Sequence, residues 1–384
     1  MSARGSLLIC GLLANTAVTG SYVALLVIGG EYDSAPIVIA ALLGCDCVVP
    51  LLAGSWIGAW VDGRSPCRVV HVSCVTLAGL LAAMAACADV LAGLLVLAVC
   101  AGGAAGALNT ALQASLVRSA PGGDVGALAG RFSAAAQLGM VLGPVLAGAA
   151  IAASSARVAL LAAAAVAATC ALLALSLPSG GADLEAGDEG RRSTWRAIRA
   201  YPGMAVLVGC VATASLAGAM MNVAEPLLAR ELGSPGVGLA VLVAIYAALF
   251  AVGALAAGRA TGRPRQGLFV AGLVVQAAGL AASAAAPSLA WAAAAFALTG
   301  AGNGWSVTQQ RMIVIEMVAA RVHGAAFSLI YAANSAAFLL ALIVAAAVAS
   351  FGGARDVFWL SAAGMTLAAA VAAVSLTRRP ATRI

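Results

Sequence analysis

The sequence predicts an all-α integral membrane protein with twelve transmembrane helices arranged as two pseudo-symmetric six-helix bundles. Three observations carry this reading. Apolar side chains make up 63% of the 384 residues and charged ones only 9%, against about 25% charged in a soluble domain. Apolar stretches long enough to cross a bilayer, about 20 residues, recur twelve times. A polar segment at 178–203 then splits the chain into near-equal parts of 177 and 181 residues.

The first stretch, 6–29, follows Arg4 and is too long for a cleaved signal peptide, so it is expected to remain as the first helix. The next five cover 35–60, 69–88, 91–116, 127–152 and 156–177, closing an N-terminal bundle over 1–177. The second six cover 204–228, 237–257, 267–286, 289–310, 324–350 and 354–377, making a C-terminal bundle over 204–384. Between them, 178–203 reads as a solvated cytoplasmic linker: Asp183, Glu185, Asp188 and Glu189 precede Arg191, Arg192, Arg196 and Arg199. Its end, Trp195–Tyr201, has the pattern of a short basic amphipathic helix lying on a membrane surface.

Orientation follows from the arginines, because cytoplasmic segments collect positive charge. With the N-terminus inside, seventeen of the 20 fall on the cytoplasmic side: Arg4, Arg64, Arg68, Arg118, Arg131, Arg191, Arg192, Arg196, Arg199, Arg259, Arg263, Arg265, Arg311, Arg321, Arg378, Arg379 and Arg383. Only Arg157, Arg230 and Arg355 fall outside, where Glu31, Asp33 and Asp89 also lie. An even number of spans puts both termini in the cytoplasm of a cell whose plasma membrane the chain crosses.

Several chemistries are excluded by what is missing. Every basic residue is arginine, so no Schiff-base lysine and no phosphate loop ending in Gly-Lys-Ser/Thr is available. The nine cysteines lie mostly inside apolar runs and do not form a disulfide framework. Cys45 and Cys47 flank Asp46, but residues two apart on a helix point away from each other, so no metal site is expected. Gly300-Ala301-Gly302-Asn303-Gly304 begins like a dinucleotide loop, yet Trp305 replaces its third glycine and no strand precedes it. No HExxH, GxSxG or paired-histidine pattern occurs. The chain is expected to be neither an enzyme nor a cofactor carrier. Its pI near 9.0 reflects topology rather than a nucleic-acid partner.

The two parts of the chain echo each other. Gly58-Ala59-Trp60-Val61-Asp62-Gly63-Arg64 follows the second span, and Gly253-Ala254-Leu255-Ala256-Ala257-Gly258-Arg259 follows the eighth, at an offset of 195 residues. Gly102–Gly106 in the fourth span corresponds loosely to Gly300–Gly304 in the tenth. Two parallel repeats account for both.

Twelve spans in a six-plus-six arrangement with this loop resemble the major facilitator superfamily along essentially the whole chain. The family's loop reads Gly-x-x-x-Asp-Arg-x-Gly-Arg-Arg. Gly58, Asp62, Arg64 and Arg68 keep its glycine, acid and basic character, whereas Gly63 and Ser65 depart from it. The resemblance implies a gating loop, with Gly253 and Arg259 as its repeat. An acid at such a helix end can pair with an arginine or cap a helix N-terminus in one conformational state and let go in another. In the fifth span, Gly139, Gly143, Pro144 and Gly148 resemble the Gly-x-x-x-Gly-Pro-x-x-Gly-Gly element of the family's exporters, with Ala147 at the penultimate glycine. Small residues let helices approach closely and proline bends them. Many proton-antiporting relatives carry an arginine in the fourth span. Ala98 or Val99 stands there, so a mechanism using that arginine is not carried over.

Charge inside a bilayer is costly, about 2.5–3.5 kcal/mol for Asp at a helix centre. Asp46 lies eleven residues into its span, roughly 16 Å along the axis. Leu42, Leu43, Val49 and Pro50 on its own helix offer no partner, which favours the neutral acid. Two roles are open: a carboxyl that loads and releases a proton, or a protonated acid bonded to a neighbouring helix. Glu225 precedes Pro226 at the outer end of the seventh span, and Glu316, which follows Arg311 near the inner end of the tenth, is expected in a cytoplasmic salt-bridge cluster. Asn15, Thr19, Tyr22, Asn109, Gln137, Asn222, Glu225, Tyr246, Asn303, Gln309, Tyr331 and Asn334 are candidates to outline a substrate cavity.

The resemblance implies a monomeric secondary transporter, exporting a small organic compound such as a drug or metabolite against protons by alternating access. Proton-coupled uptake of a nutrient and a non-transporting receptor or assembly factor are the alternatives.

Overall fold

The computed structural model describes residues 3–30, 35–119, 125–177, 201, 203–234, 237–260, 264–319 and 322–376. The described residues form twelve α-helices: α1 (Ala3–Gly30), α2 (Ala35–Asp62), α3 (Pro66–Ala86), α4 (Leu91–Arg118), α5 (Val125–Ala153), α6 (Ala156–Ala174), α7 (Met204–Glu231), α8 (Val237–Arg259), α9 (Arg265–Ala284), α10 (Leu289–Met317), α11 (His323–Gly352) and α12 (Ala354–Ser375). Each expected span falls on one of them. The linker, apart from Tyr201 and Gly203, lies outside the described residues, and so does most of the expected amphipathic helix at Trp195–Tyr201.

Eleven of the helices are long and apolar enough to cross a membrane. The remaining one, α10, has 29 residues but spends its C-terminal half on Asn303, Thr308, Gln309, Gln310, Arg311 and Glu316. Thr308, Gln309 and Gln310 are buried, so these groups are turned toward protein rather than lipid, as polar residues in a span must be.

Helix ends are set locally. Pro66 opens α3 at a position whose N–H needs no partner. Ser155 and Ser288 cap α6 and α10, accepting from Val158 N at 3.4 Å and Trp291 N at 3.3 Å. Gly353, at φ 86°, turns the chain between α11 and α12 where a side chain would be strained.

The chain divides into two compact units. The first comprises Met1–Gly123, Ala135–Ala197 and Ala319–Ala332; the second comprises Asp124–Ala134, Ile198–Val318 and Ala333–Ile384. In the first, α1 packs on α6, α3 on α6, α3 on α4 and α2 on α4. In the second, the same scheme recurs six helices later: α7 on α12, α9 on α12, α9 on α10 and α8 on α10. The cores differ in filling. Large buried side chains of the first are Leu7, Leu42, Leu77, Leu81, Met84 and one phenylalanine, Phe327, whereas the second buries Phe132, Phe269, Phe296 and Phe358. Phe296 meets Phe358 edge-on at 5.9 Å. An ion pair ties helix ends in each unit, Arg157–Asp89 in the first and Arg355–Glu231 at 3.5 Å in the second.

Candidate functional site

Residues four apart lie on one face of a helix, and on α2 the row Asp46, Pro50, Gly54, Gly58, Asp62 carries most of the candidate chemistry. Asp46 has no basic partner among the described residues. Its partner comes from another helix: the Tyr22 hydroxyl of α1 donates to its Oδ2. Asp46, Tyr22 and Tyr331 are each half-buried. Tyr331, in the first turns of α11, is an electrostatic neighbour of both Asp46 and Tyr22. Its position is fixed by small groups: a Cβ on Gly106 would lie 3.3 Å from Tyr331 Cε1 and 3.1 Å from Pro50 Cγ.

The rest of the row meets the start of α11. Ser328 donates to the Gly54 carbonyl. A Cβ on Gly58 would fall 2.6 Å from Ala325 Cα, which is backbone and cannot yield. Asp62 then closes the row by capping α11, Oδ1 accepting from Gly324 N at 2.7 Å and Oδ2 from Ala325 N at 2.8 Å. The first N–H groups of a helix lack intrahelical partners and carry the positive end of its dipole, so a carboxylate there satisfies two donors at once. Of the two contacts open to Asp62 on sequence, the helix cap is present. Arg64 lies over the Trp60 ring at 5.2 Å and Arg68 is exposed.

The second unit repeats the backbone approach in a different register. Gly300 and Gly304 of α10 press on Tyr246 and Phe250 of α8, as Gly102 and Gly106 of α4 press on Asp46 and Pro50 of α2. Tyr246 therefore stands where Asp46 does, 200 residues on, rather than 195. The counterpart of Gly58 is then Gly258, whose absent Cβ makes room for Gly126 O at 2.6 Å and Gly130 Cα at 3.1 Å. Gly253 is corrected from the gating contact to helix packing, because it faces the Ala301 backbone of α10. Among the described residues, Arg259 reaches its own helix, at Leu255 O, 3.5 Å. Position 262, equivalent to Asp62, lies outside the described residues.

Of the exporter-type row on α5, two glycines make the close approach and one does not. A Cβ on Gly139 would meet Asn15 Cβ at 3.0 Å and one on Gly143 would meet Thr16 O at 2.6 Å, both on α1. Gly148 has open space around it. Pro144 lies within the unbroken helix.

The remaining cavity candidates separate by burial and bonding. Asn15 and Thr19 return to their own helix at Gly11 O and Asn15 O, while Thr19 also reaches Gly139 O at 3.4 Å. Asn109 accepts from Gln113. Gln137 is half-buried, and Asn222 is exposed and bonded to Ala219 O. Asn334 accepts from Ser215 at 2.8 Å. Asn303 donates to the Tyr246 hydroxyl, with Glu225 as an electrostatic neighbour. Gln309 is corrected from the cavity to the scaffold: it is fully buried, donates to Ala257 O at 2.9 Å and accepts from Arg265. Glu316 pairs with Arg265 at 3.2 Å. Arg311 turns to Ser133 and the Phe132 ring, a contact the sequence hinted at only through the polar run Thr308-Gln309-Gln310-Arg311. Among the described residues no group of His, Cys, Asp or Glu could hold a metal ion.

A model of the Major Facilitator Superfamily matches residues 7–221 and again 207–384. The chain belongs to the major facilitator superfamily. It is a multi-pass membrane transporter of that type. Among solved structures, the human organic anion transporter MFSD10 (TETRAN) is similar with a TM-score of 0.78 and 15% identity, covering 96% of this chain and 98% of that one. The proton:xylose symporter XylE, bound to 6-bromo-6-deoxy-D-glucose, gives 0.77 and 14% over 99% and 96%. A bacterial homologue of the iron transporter ferroportin, outward-facing, gives 0.77 and 17% over 98% and 100%. At such identities these likenesses establish the fold alone. No curated protein matches the sequence.

Proposed function

We propose that this major facilitator transporter exports a small organic compound in exchange for protons across the plasma membrane, as a monomer with both termini in the cytoplasm. The observation that carries the reading is the single face of α2. It holds a carboxyl near the middle of the helix, Asp46, and ends in a carboxylate that caps α11, Asp62. A group whose charge changes and a contact that can open therefore share one rigid element. Loading Asp46 with a proton removes a charge that is costly in hydrocarbon, and the α2–α11 contact is the part that forms in one state and releases in the other.

The glycine contacts of α5 with α1, at Gly139 and Gly143, support export through the exporter-type element they belong to. Similarity to a proton:xylose symporter keeps uptake as the competing direction. A screen of toxic organic compounds in an efflux-deficient host expressing the chain supplies a substrate. Adding that compound to acid-loaded inside-out vesicles is expected to drive protons out of the lumen, and Asp46→Asn to stop this. Unchanged proton release in the variant removes Asp46 from coupling. Accumulation in whole cells that rises with the proton-motive force reverses the direction, and binding without flux in proteoliposomes reduces the chain to a receptor.

A further inference from the structure

Two tyrosines and one carboxyl meet near the middle of α2 without any basic side chain among them. Tyr22 occupies Asp46 Oδ2, and among the described residues Oδ1 has no hydrogen-bond partner within the protein. The described arginines of the first unit, such as Arg4, Arg64, Arg68 and Arg157, sit at or near helix ends, many ångströms along the helix axes from Asp46. An ionised Asp46 therefore has no balancing positive charge among the described residues of its own unit, which leaves room for one arriving from outside. Protons supply one such charge. A bound cation supplies another, and the neighbouring side chains suit it: aromatic faces attract cations, above all away from water. Backbone rigidity adds to the fit. Gly102 lets α4 lie so close that a Cβ there would be 2.6 Å from Asp46 Cα, and Gly106 does the same under Pro50 and Tyr331. All three side chains remain half-buried, so the group can be reached.

We propose that Asp46, Tyr22 and Tyr331 form a binding site for an organic cation, which takes the place of the proton on the Asp46 carboxylate. The inference rests on the reading of Asp46 as a group that gives up a proton, and it names the substrate class. Tyr22 holds Oδ2 and so orients the carboxylate, leaving Oδ1 to the proton or to the cationic centre; Tyr331 offers its ring one turn further along α2. The site is neutral in both loaded forms. Exchange of one monovalent cation for one proton then moves no net charge, and it follows the pH gradient rather than the membrane potential.

Tetraphenylphosphonium and tetraphenylborate, alike in size and opposite in charge, test this on the full chain in detergent by equilibrium dialysis. The phosphonium is expected to bind, to weaken as the pH falls and the proton competes, and to lose about tenfold or more in Asp46→Asn. Tyr331→Leu is expected to lose about threefold to thirtyfold, the range of a desolvated cation–aromatic contact. Asp46→Glu, which keeps the charge, is expected to retain binding and guards against misfolding of the amide variant. Equal binding of the borate, or wild-type phosphonium binding in a folded Asp46→Asn, overturns the site. Failure of the transport reading looks different: pH-dependent, Asp46-dependent phosphonium binding with no flux in proteoliposomes. Asp46-dependent proton release driven by a neutral or anionic compound, with no phosphonium binding, sinks the cation site and leaves the transport reading standing.

Discussion

α2 and α8 occupy the same place in the packing of their own units, yet they carry different chemistry. Each lies against a helix that presents glycines to its backbone, α4 through Gly102 and Gly106, α10 through Gly300 and Gly304. Each also has a glycine further on, Gly58 or Gly258, that admits the backbone of a helix start. At the position facing the first of these glycines, α2 has Asp46 bonded to a tyrosine of α1, whereas α8 has Tyr246 bonded to Asn303 of α10. Duplication has kept what close helix approach demands, the missing side chains, and has let the polar groups diverge. Geometry is shared because backbone contact tolerates little change. Charge is not shared, because a second charge near the middle of a helix would add its own desolvation cost.

The comparison is broken most directly by moving the charge. Asp46→Asn is expected to bring proton-coupled flux in vesicles to background, while Glu225→Gln, the acid near Tyr246, leaves it within about a factor of three of wild type. The bound follows from treating Glu225 as one polar group near a helix end, since a polar contact between membrane helices is worth only about 0.6 kcal/mol on average. Equal loss in both variants would mean that the two units share the proton work.

A steric contrast comes next. Gly58→Ala puts a methyl into the backbone of Ala325 and Gly258→Ala puts one against Gly126 O, each an overpacking of about 1–3 kcal/mol. Gly148→Ala meets only open space. Both of the first two are expected to lower the thermal midpoint in detergent and to slow flux, with the third neutral or slightly stabilising in a helix. A damaging Gly148→Ala would show that the exporter-type row acts through its last glycine after all.

The cap on α11 has a smaller expected effect. Asp62→Ala removes both acceptors from the Gly324 and Ala325 amides, and loss of a helix cap costs about 0.5–2 kcal/mol. Hydrogen exchange at those two amides is expected to quicken by about tenfold, since about 1.4 kcal/mol corresponds to one decade, with the Gly126 and Gly130 amides of α5 unaffected. Unaltered exchange at α11 removes Asp62 from the cap.

How much of this was readable beforehand follows from the physics of each signal. Hydropathy located every helix, because the cost of unsatisfied backbone in lipid leaves a long apolar run few other fates. It weakened only at α10, where polar groups are turned into the protein. Repeat register was misread by five residues. In a chain with 44 glycines, Gly-Arg at 258–259 aligns on paper with Gly63-Arg64, while the contacts align Gly258 with Gly58. Tyr22 as the partner of Asp46 was not legible either. It lies 24 residues away on another helix, and pairing across helices depends on rotation about their axes, which composition does not encode. Glu316, expected in a salt-bridge cluster, is paired with Arg265 on α9, a partner from another helix that the sequence does not single out.

The finest test makes the same change in both units. Tyr22→Phe and Tyr246→Phe each delete one hydroxyl and keep the ring, so packing and apolar burial are preserved. In α8 the lost hydrogen bond from Asn303 is a link between two neutral groups, worth about 0.5–1.5 kcal/mol, and a lower thermal midpoint with normal coupling is expected. In α1 the same deletion frees Asp46 Oδ2 from its donor. That hydroxyl is the donor that orients the carboxylate, so its loss is expected to move the pH profile of coupled flux, whereas Tyr246→Phe leaves the profile in place. The two variants thus separate a bond that holds helices together from a bond that sets a protonation state. If Tyr22→Phe lowers stability yet leaves the pH profile of transport unmoved, the Tyr22–Asp46 pair is a structural link like its counterpart, and the difference between α2 and α8 disappears where it matters most.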